Sequence, residues 1–278
     1  MERRIIRRVK GRPTSDGAGV KLVRVLGPET VEDFDPILML DSFDSKNPED
    51  YQAGFPDHPH RGIETISYLA SGAMTHRDSL GNEDTIRDGE VQWMTAGSGI
   101  IHSENLPASE RLLGVQLWLN LPAKAKMTKP AYQAIRSREI PEIELEGGRL
   151  RLLAGRYRDV SAYLSDHLPL NYWEVQLDAG ASVKLDIEPG RSLMAFSLDG
   201  EVRIAGEILE EKTAVVFSDG DFFTIESVEP ARILVISSRK LDEPVAWGGP
   251  IVMNTREELE DAMRDLRAGT FIKEEPSY

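Results

Sequence analysis

Two short motifs hold the residues whose types and spacing favour metal chemistry. His58 and His60 stand two apart in "FPDHPHRG", and His102 and Glu104 stand two apart in "GIIHSE". Residues i and i+2 of an extended strand project from one face. Pro59 favours an extended segment, because it fixes its own backbone and biases His58 away from helix. If the two segments face each other inside a small barrel, three imidazoles and one carboxylate converge.

Such a set suits a first-row transition metal such as iron, manganese, nickel, copper or zinc. A lone pair of histidines two residues apart is a weak motif. Three of the chain's five histidines in two such pairs, beside glycine-rich turns, make a stronger one. The residues alone leave two alternatives open. One is unrelated histidine pairs in exposed loops, and the other is a closed structural zinc site with the glutamate as fourth ligand.

The two remaining histidines carry weaker signals. His76 in "MTHRDS" shares a strand face with Met74 and Asp78 if the segment is extended. It either lines the metal cavity or, as we expect, is an ordinary core or surface residue. His167 stands alone in "YLSDHLPLNYW", and we expect a loop or interface residue there.

The composition argues against several classes of protein. The 278-residue chain has a formal net charge of −14, which disfavours direct binding to nucleic acid or to an anionic membrane. It has no cysteine, which excludes disulfides, thiolate metal sites and cysteine nucleophiles. No stretch approaches the roughly 20 apolar residues of a membrane span. The N-terminal segment lacks the apolar core of a signal peptide, so we expect a cytoplasmic protein.

Short alternating segments between glycine and proline residues predict an all-β fold. In "GVQLWLNL" (114–121), Val115 and Leu117 share one face and Gln116 and Trp118 the other, as in a half-buried strand. Asp-Gly pairs in "LDGEV" and "SDGDF" predict turns between strands. The other alternating segments are 64–70, 177–190, 192–206 and 213–227.

Two loosely similar series of strands, 38–120 and about 170–238, indicate a duplicated barrel. We predict an N-terminal metal-binding domain over 1–134 and a C-terminal domain over 135–278, which lacks a paired-histidine motif and is expected to be metal-free. A helix begins near the end of the chain. Thr255 is its expected N-cap, Glu258 completes a capping box, and Gly269 ends it. We expect a packing helix without chemistry.

The chain resembles the pirins, a bicupin branch of the cupin superfamily, almost from end to end. The resemblance rests on "GFPDHPHRGIETISYL", "DSLGNEDTIRDGEVQWMTAGSGIIHSE" and "GPIVMNTREELEDAMRDLRAGTF". It implies two stacked cupin-type β-barrels with a short C-terminal helix, of which only the first barrel binds metal, commonly iron. It also implies the ligands His58, His60, His102 and Glu104.

One difference among cupins bears on the ligand set. General cupins use a glutamate four residues after the second histidine, here Glu64, whereas pirins use the later glutamate. We therefore expect Glu64 to be a strand residue or to lie beside the ligands, with ligation of the metal as the alternative. Thr95 stands where general cupins often carry proline, a departure that pirins share.

Several pirins act as quercetin 2,3-dioxygenases, so the resemblance implies a metal-dependent enzyme that opens a flavonol ring with O₂. Its partners would be a flavonol-like small molecule and O₂, and its metal Fe(II), with Mn, Ni, Cu or Zn as alternatives. Glu104 would be both ligand and proton acceptor. The apolar residues near the site are expected to be core residues rather than pocket walls: Trp93, Met94, Ile100 and Ile101.

Two other functions compete with this one. Some pirins are regulators, in which the redox state of the metal acts as a switch and a protein partner is bound without turnover. The acidic composition would favour a basic partner. A cupin sugar isomerase is a third hypothesis, which the metal ligands fit but the motifs fit less well.

Overall fold

A computed structural model describes residues 1–274, which consist mainly of short β-strands. In the described residues the strands are β1 (Ile5–Lys10), β2 (Arg12–Asp16), β3 (Val20–Leu26), β4 (Ile37–Ser45), β5 (Phe55–His60), β6 (Ile63–Ser71), β7 (Met74–Asp78), β8 (Glu83–Ile86), β9 (Glu90–Thr95), β10 (Ile100–Asn105), β11 (Leu112–Asn120), β12 (Ala131–Ile135), β13 (Glu142–Leu145), β14 (Gly148–Ala154), β15 (Arg156–Tyr157), β16 (Val160–Ser161), β17 (Leu170–Leu177), β18 (Ser182–Asp186), β19 (Ser192–Asp199), β20 (Val202–Ile204), β21 (Glu207–Leu209), β22 (Thr213–Phe217), β23 (Phe222–Ser227), β24 (Ala231–Ser238), β25 (Ala246–Gly248) and β26 (Ile251–Met253). The α-helices are α1 (Val31–Phe34) and α2 (Arg256–Ala268). Neither helix of this part of the chain is long and apolar enough to cross a membrane.

The chain divides into two compact units. We call the first the histidine unit; it comprises Pro13–Arg24, Ile37–Ser137 and the segment from Leu241 onward. We call the second the apolar unit; it comprises Met1–Arg12, Val25–Pro36 and Arg138–Lys240.

Each unit is built from segments that are not contiguous in the sequence, and strand pairing explains this at both ends of the chain. Strand β1 pairs with β22, so the N-terminus belongs to the apolar unit. Ile251 of β26 bridges to Arg61, so the C-terminal segment belongs to the histidine unit. The predicted division into domains over 1–134 and 135–278 stays a prediction. Residues 275–278 of the second predicted domain lie outside the described residues.

Each unit contains a seven-stranded and a four-stranded sheet. In the histidine unit the strand orders are β12-β9-β6-β11-β4-β3-β2 and β5-β10-β7-β8. In the apolar unit they are β1-β22-β19-β24-β17-β14-β13 and β18-β23-β20-β21. Side chains of the two sheets meet inside the histidine unit, where Gln116 of β11 donates to Glu104 of β10.

The predicted alternating segments are strands, but one detail of the prediction is wrong. Segment 114–121 lies in β11, and this strand is buried on both faces rather than half-buried. The physical reason is that Gln116 and Trp118 face the interior of the histidine unit, where they contact other buried groups. An alternating apolar and polar pattern therefore marks a polar interior here, not a solvent face.

The predicted C-terminal helix is confirmed with its caps. The Thr255 side chain accepts a hydrogen bond from the Glu258 backbone N–H, and the Glu258 side chain accepts one from the Thr255 backbone N–H. Gly269 ends the helix at φ 69°, in the left-handed region that glycine enters at little cost. Ala262 and the flanking apolar side chains pack against β26, so α2 holds this strand in the histidine unit.

Candidate metal centre

Strand pairing brings the three motif histidines together. Strands β5 and β10 are antiparallel neighbours, with His102 opposite His58 and Ile100 opposite His60. Directly opposite residues of an antiparallel pair project from the same face. One nitrogen from each of the three imidazoles lies within 4.8 Å of those of the other two. The predicted convergence of His58, His60 and His102 is thus present in the structure.

Backbone carbonyls fix the protonation of two of these rings. His58 Nδ1 lies 2.8 Å from the Pro56 carbonyl oxygen, and His60 Nδ1 lies 2.9 Å from that of Pro250. A carbonyl oxygen only accepts, so each Nδ1 carries the proton and donates. In a neutral ring, Nε2 then keeps its lone pair, which is the donor a metal requires.

Burial keeps the deeper imidazoles neutral. Desolvation, reinforced by the neighbouring His58, lowers the pKa of His60 to about 3. Desolvation and the adjacent imidazoles lower the pKa of His102 well below its usual value. The Nε2 atom of His102 is buried and has no hydrogen-bond partner among residues 1–274. Neutral imidazoles, one of which has a buried nitrogen without a hydrogen-bond partner, fit a divalent metal ion better than they fit a hydrogen-bonded core.

Glu104 lies in the same interior but is held by amides. It is fully buried, and the pairing of β10 with β5 shifts its register between His102 and Glu104. Gln92 Nε2 donates to its Oε1 at 2.9 Å, and Gln116 Nε2 contacts both carboxylate oxygens at 3.0 and 2.8 Å. Within the described residues, the cluster of donor atoms inside 4.8 Å consists of the three histidines without Glu104. Its role as a fourth ligand stays a prediction.

The two glutamines that contact Glu104 were not recognised in the sequence. Gln92 is fully buried and Gln116 is 7% exposed. A signal existed in the sequence, because each amide stands between apolar residues of its strand, in "VQW" and in "VQL". A buried amide needs a partner, and a carboxylate in the facing sheet provides one.

His76 also lies in this interior and contacts His102, whereas the sequence favoured an ordinary core or surface position for it. Its ring is fully buried and stacks on Tyr132 at a centroid distance of 4.4 Å. Its Nδ1 lies 3.3 Å from His102 Nδ1, and its Nε2 lies 2.8 Å from Asp78 Oδ2. Burial alone would raise the pKa of Asp78, but hydrogen bonds from His76 and Asn82 outweigh burial and leave that pKa lowered.

The other expected residues fall at the edge of the centre or away from it. Glu64 is a buried residue of β6, where Thr95 Oγ1 donates to it at 2.7 Å. His167 is a half-buried residue of the loop before β17. Trp93, Met94 and Ile100 are fully buried and Ile101 partly so, as core residues would be.

An aromatic pair that the sequence did not single out lies next to His60. Trp118 meets the His60 ring edge-on at 4.9 Å, and Trp247 of β25 stacks on Trp118 at 5.8 Å. Trp118 is almost buried and Trp247 is half-buried. The C-terminal segment therefore supplies both an aromatic ring beside this centre and, through Pro250, the acceptor of His60.

Comparison with known proteins identifies the family of this chain. The family described as Pirin matches residues 19–119, and the Pirin C-terminal cupin domain matches residues 172–272. The chain belongs to the pirin family. The pirin-like protein of Caulobacter vibrioides is 42% identical over 274 residues, which cover 97% of this chain and 99% of that one. The pirin of Homo sapiens is 36% identical over 266 residues, covering 93% and 90% of the respective chains.

A solved structure is also closely similar to this chain. The crystal structure of quercetin 2,3-dioxygenase from Acinetobacter baumannii superposes at a TM-score of 0.90 with 34% identity, covering 98% of this chain and 99% of that one. These matches confirm the resemblance and the all-β fold with two cupin-type domains and a short C-terminal helix. Family membership and the three-histidine cluster together support a metal ion.

Proposed function

We propose that this pirin-family protein binds one divalent transition metal, Fe(II), and opens a flavonol-like substrate with O₂, as a quercetin 2,3-dioxygenase does. The ligands would be His58, His60, His102 and Glu104. The observation that carries the proposal is the set of three imidazoles whose nitrogens lie within 4.8 Å of one another in a protein interior. The similarity to a solved quercetin 2,3-dioxygenase supports the reaction class.

The donor set agrees with the proposed metal. Three imidazoles and a carboxylate, without thiolate, suit Fe(II), with Mn, Ni, Cu and Zn as alternatives. A bound divalent metal supplies Lewis acidity, which lowers the pKa of a coordinated hydroxyl. Within the chain, Nδ1 contacts orient the imidazoles.

Glu104 would accept a proton from the substrate. Gln92 and Gln116 donate to its carboxylate and so restrict its orientation. Trp118 provides an aromatic surface beside His60, which suits a flat aromatic substrate. The products would be the opened ring and carbon monoxide.

The test is oxygen consumption with quercetin, together with elemental analysis of the purified protein. We expect about one metal ion per chain and quercetin-dependent oxygen uptake. Both should be lost in His60→Ala and kept in His167→Ala, which changes a half-buried loop histidine of the apolar unit. Oxygen uptake that persists in metal-depleted His60→Ala would overturn the proposal.

A metal-loaded protein without turnover on a panel of flavonols would instead favour the regulatory function. A protein partner would then be sought, and the acidic chain favours a basic one. The cytoplasmic location stays a prediction under either function.

A further inference from the structure

A chain of hydrogen-bonding side chains runs from His102 through His76 to Asp78. His102 Nδ1 lies 3.3 Å from His76 Nδ1, and His76 Nε2 lies 2.8 Å from Asp78 Oδ2. The side chains of His76 and Asp78 are fully buried, and His102 is 1% exposed. Strand pairing fixes this arrangement, because β7 lies beside β10 with Asp78 opposite His102.

The Asp78 carboxylate determines which atom donates and which accepts in each of these hydrogen bonds. Asp78 Oδ1 accepts from the backbone N–H groups of Leu80 and Asn82, which anchors the carboxylate in the turn after β7. An ionised carboxylate only accepts, so His76 carries its proton on Nε2. In the neutral ring, Nδ1 of His76 is then an acceptor, and His102 must donate from its own Nδ1. That leaves Nε2 of His102 with a lone pair.

The opposite tautomer of His102 is disfavoured by its surroundings. It would place two lone pairs face to face across 3.3 Å. It would also place an N–H on Nε2, for which the described part of the chain offers no acceptor. A buried donor without a partner is costly.

We propose that His76 and Asp78 are positioning residues that hold His102 in the tautomer that can bind metal. This inference rests on the proposed metal site. His58 and His60 are oriented by backbone carbonyls, which no side-chain substitution removes. His102 is oriented by side chains, so among these three its tautomer is the one that substitution can reverse. Tyr132 stacks on His76 with the ring planes 17° apart and keeps that ring aligned.

Two substitutions test whether the tautomer of His102, rather than another change in the site, controls metal binding. Asp78→Asn can keep an acceptor for the turn but presents an amide donor to His76 Nε2. The proton of His76 then moves to Nδ1, which drives the proton of His102 to Nε2 and blocks the metal-binding atom. A comparable carboxylate-to-amide change is known to trap a catalytic histidine in the wrong tautomer. His76→Phe keeps a ring against Tyr132 and removes both nitrogens.

The first measurement is nitrogen NMR of metal-free protein labelled with ¹⁵N-histidine. We expect His102 to carry its proton on Nδ1 in the parent and on Nε2 in Asp78→Asn. The second is titration with Co²⁺ alone. The dissociation constant should rise about 10- to 100-fold in Asp78→Asn, and less in His76→Phe.

The matched controls are Asp84→Asn, which removes a carboxylate paired with Arg136 in the same sheet, and His167→Phe in the apolar unit. Both should bind Co²⁺ as the parent does.

A parent-like tautomer and affinity in Asp78→Asn would overturn the inference while leaving the metal site intact. A parent that binds no Co²⁺ would overturn the proposed function, and the tautomer in metal-free protein would then decide this inference separately. If Asp78→Asn does not fold, His76→Phe decides, since it preserves the turn; a parent-like affinity there counts against the inference.

Discussion

The histidine unit and the apolar unit use the same strand order for different interiors. Their four-stranded sheets run β5-β10-β7-β8 and β18-β23-β20-β21, so that β10 corresponds to β23 and β7 to β20. Inward residues of β10 include His102 and Glu104, whereas those of β23 include Phe223 and Ile225. The fold itself therefore needs neither imidazole nor carboxylate.

The two interiors are stabilised by different kinds of contact. In the apolar unit, side chains of both sheets form one continuous hydrophobic cluster. Each buried apolar side chain contributes about 1.5–3 kcal/mol. In the histidine unit, polar groups occupy the corresponding interior, and each must find a partner or a ligand. Buried polar residues there form contacts with one another: Gln92, Glu104, Gln116, His76 and His102.

The largest expected effect comes from removing the carboxylate that we propose as the proton acceptor in the histidine unit. In Glu104→Gln, kcat for quercetin oxygenation should fall about 10²- to 10⁴-fold, because an amide cannot accept the substrate proton. The measurement is oxygen uptake at saturating substrate, with the metal content of each preparation determined in parallel.

The metal measurement separates the two roles assigned to Glu104. A fall in kcat with full metal occupancy indicates proton transfer, and a parallel loss of metal indicates ligation. Unchanged kcat at full occupancy contradicts both roles.

The next effect concerns stability in the apolar unit. Phe223 is fully buried among Leu185, Ile225 and other members of the hydrophobic cluster. Phe223→Ala should lower the free energy of unfolding by about 3–5 kcal/mol through lost burial and a cavity. Folded Phe223→Ala protein should keep its metal content. Urea unfolding and elemental analysis measure the two quantities.

Substitution of His102 in the histidine unit should show the reverse pattern, with a large effect on metal content and a smaller effect on stability. His102→Ala should lose the metal, while its metal-free form loses less stability than Phe223→Ala. A control within the apolar unit is Val228→Ala, at an 82% exposed position, where the change should stay within about 0.5 kcal/mol. If His102→Ala kept a full metal complement, the division of roles between the units would be wrong.

The sequence was informative where local pattern decides the structure. The spacing of His58 and His60, and of His102 and Glu104, predicted a shared interior, and the structure brings the three histidines together. The capping box at Thr255 predicted the start of α2. In both cases residues close in the sequence carry the information.

The rest depends on contacts between distant segments. His76 acts on His102 across a strand pair, and Gln116 meets Glu104 across two facing sheets. The Pro250 carbonyl reaches His60 from a segment 190 positions away. Periodicity assigned Gln116 to a strand, but no local pattern states which segment lies opposite it.

The smallest effect concerns the C-terminal segment of the histidine unit. Hydrogen bonds from Lys273 and Arg61 lower the pKa of Asp265 to about 2. A carboxylate whose pKa is lowered by folding stabilises the fold above its unfolded pKa, and this contribution is lost as the pH falls through the folded pKa. Asp265→Asn should therefore lower Tm by about 2–4 °C at pH 7, and the difference from the parent should shrink as the pH falls through 2. Thermal scans from pH 7 to pH 2 measure this, with Asp261→Asn on the exposed face of α2 as the control. A Tm difference that persists unchanged at pH 2 would show that Asp265 acts through packing rather than through its charge.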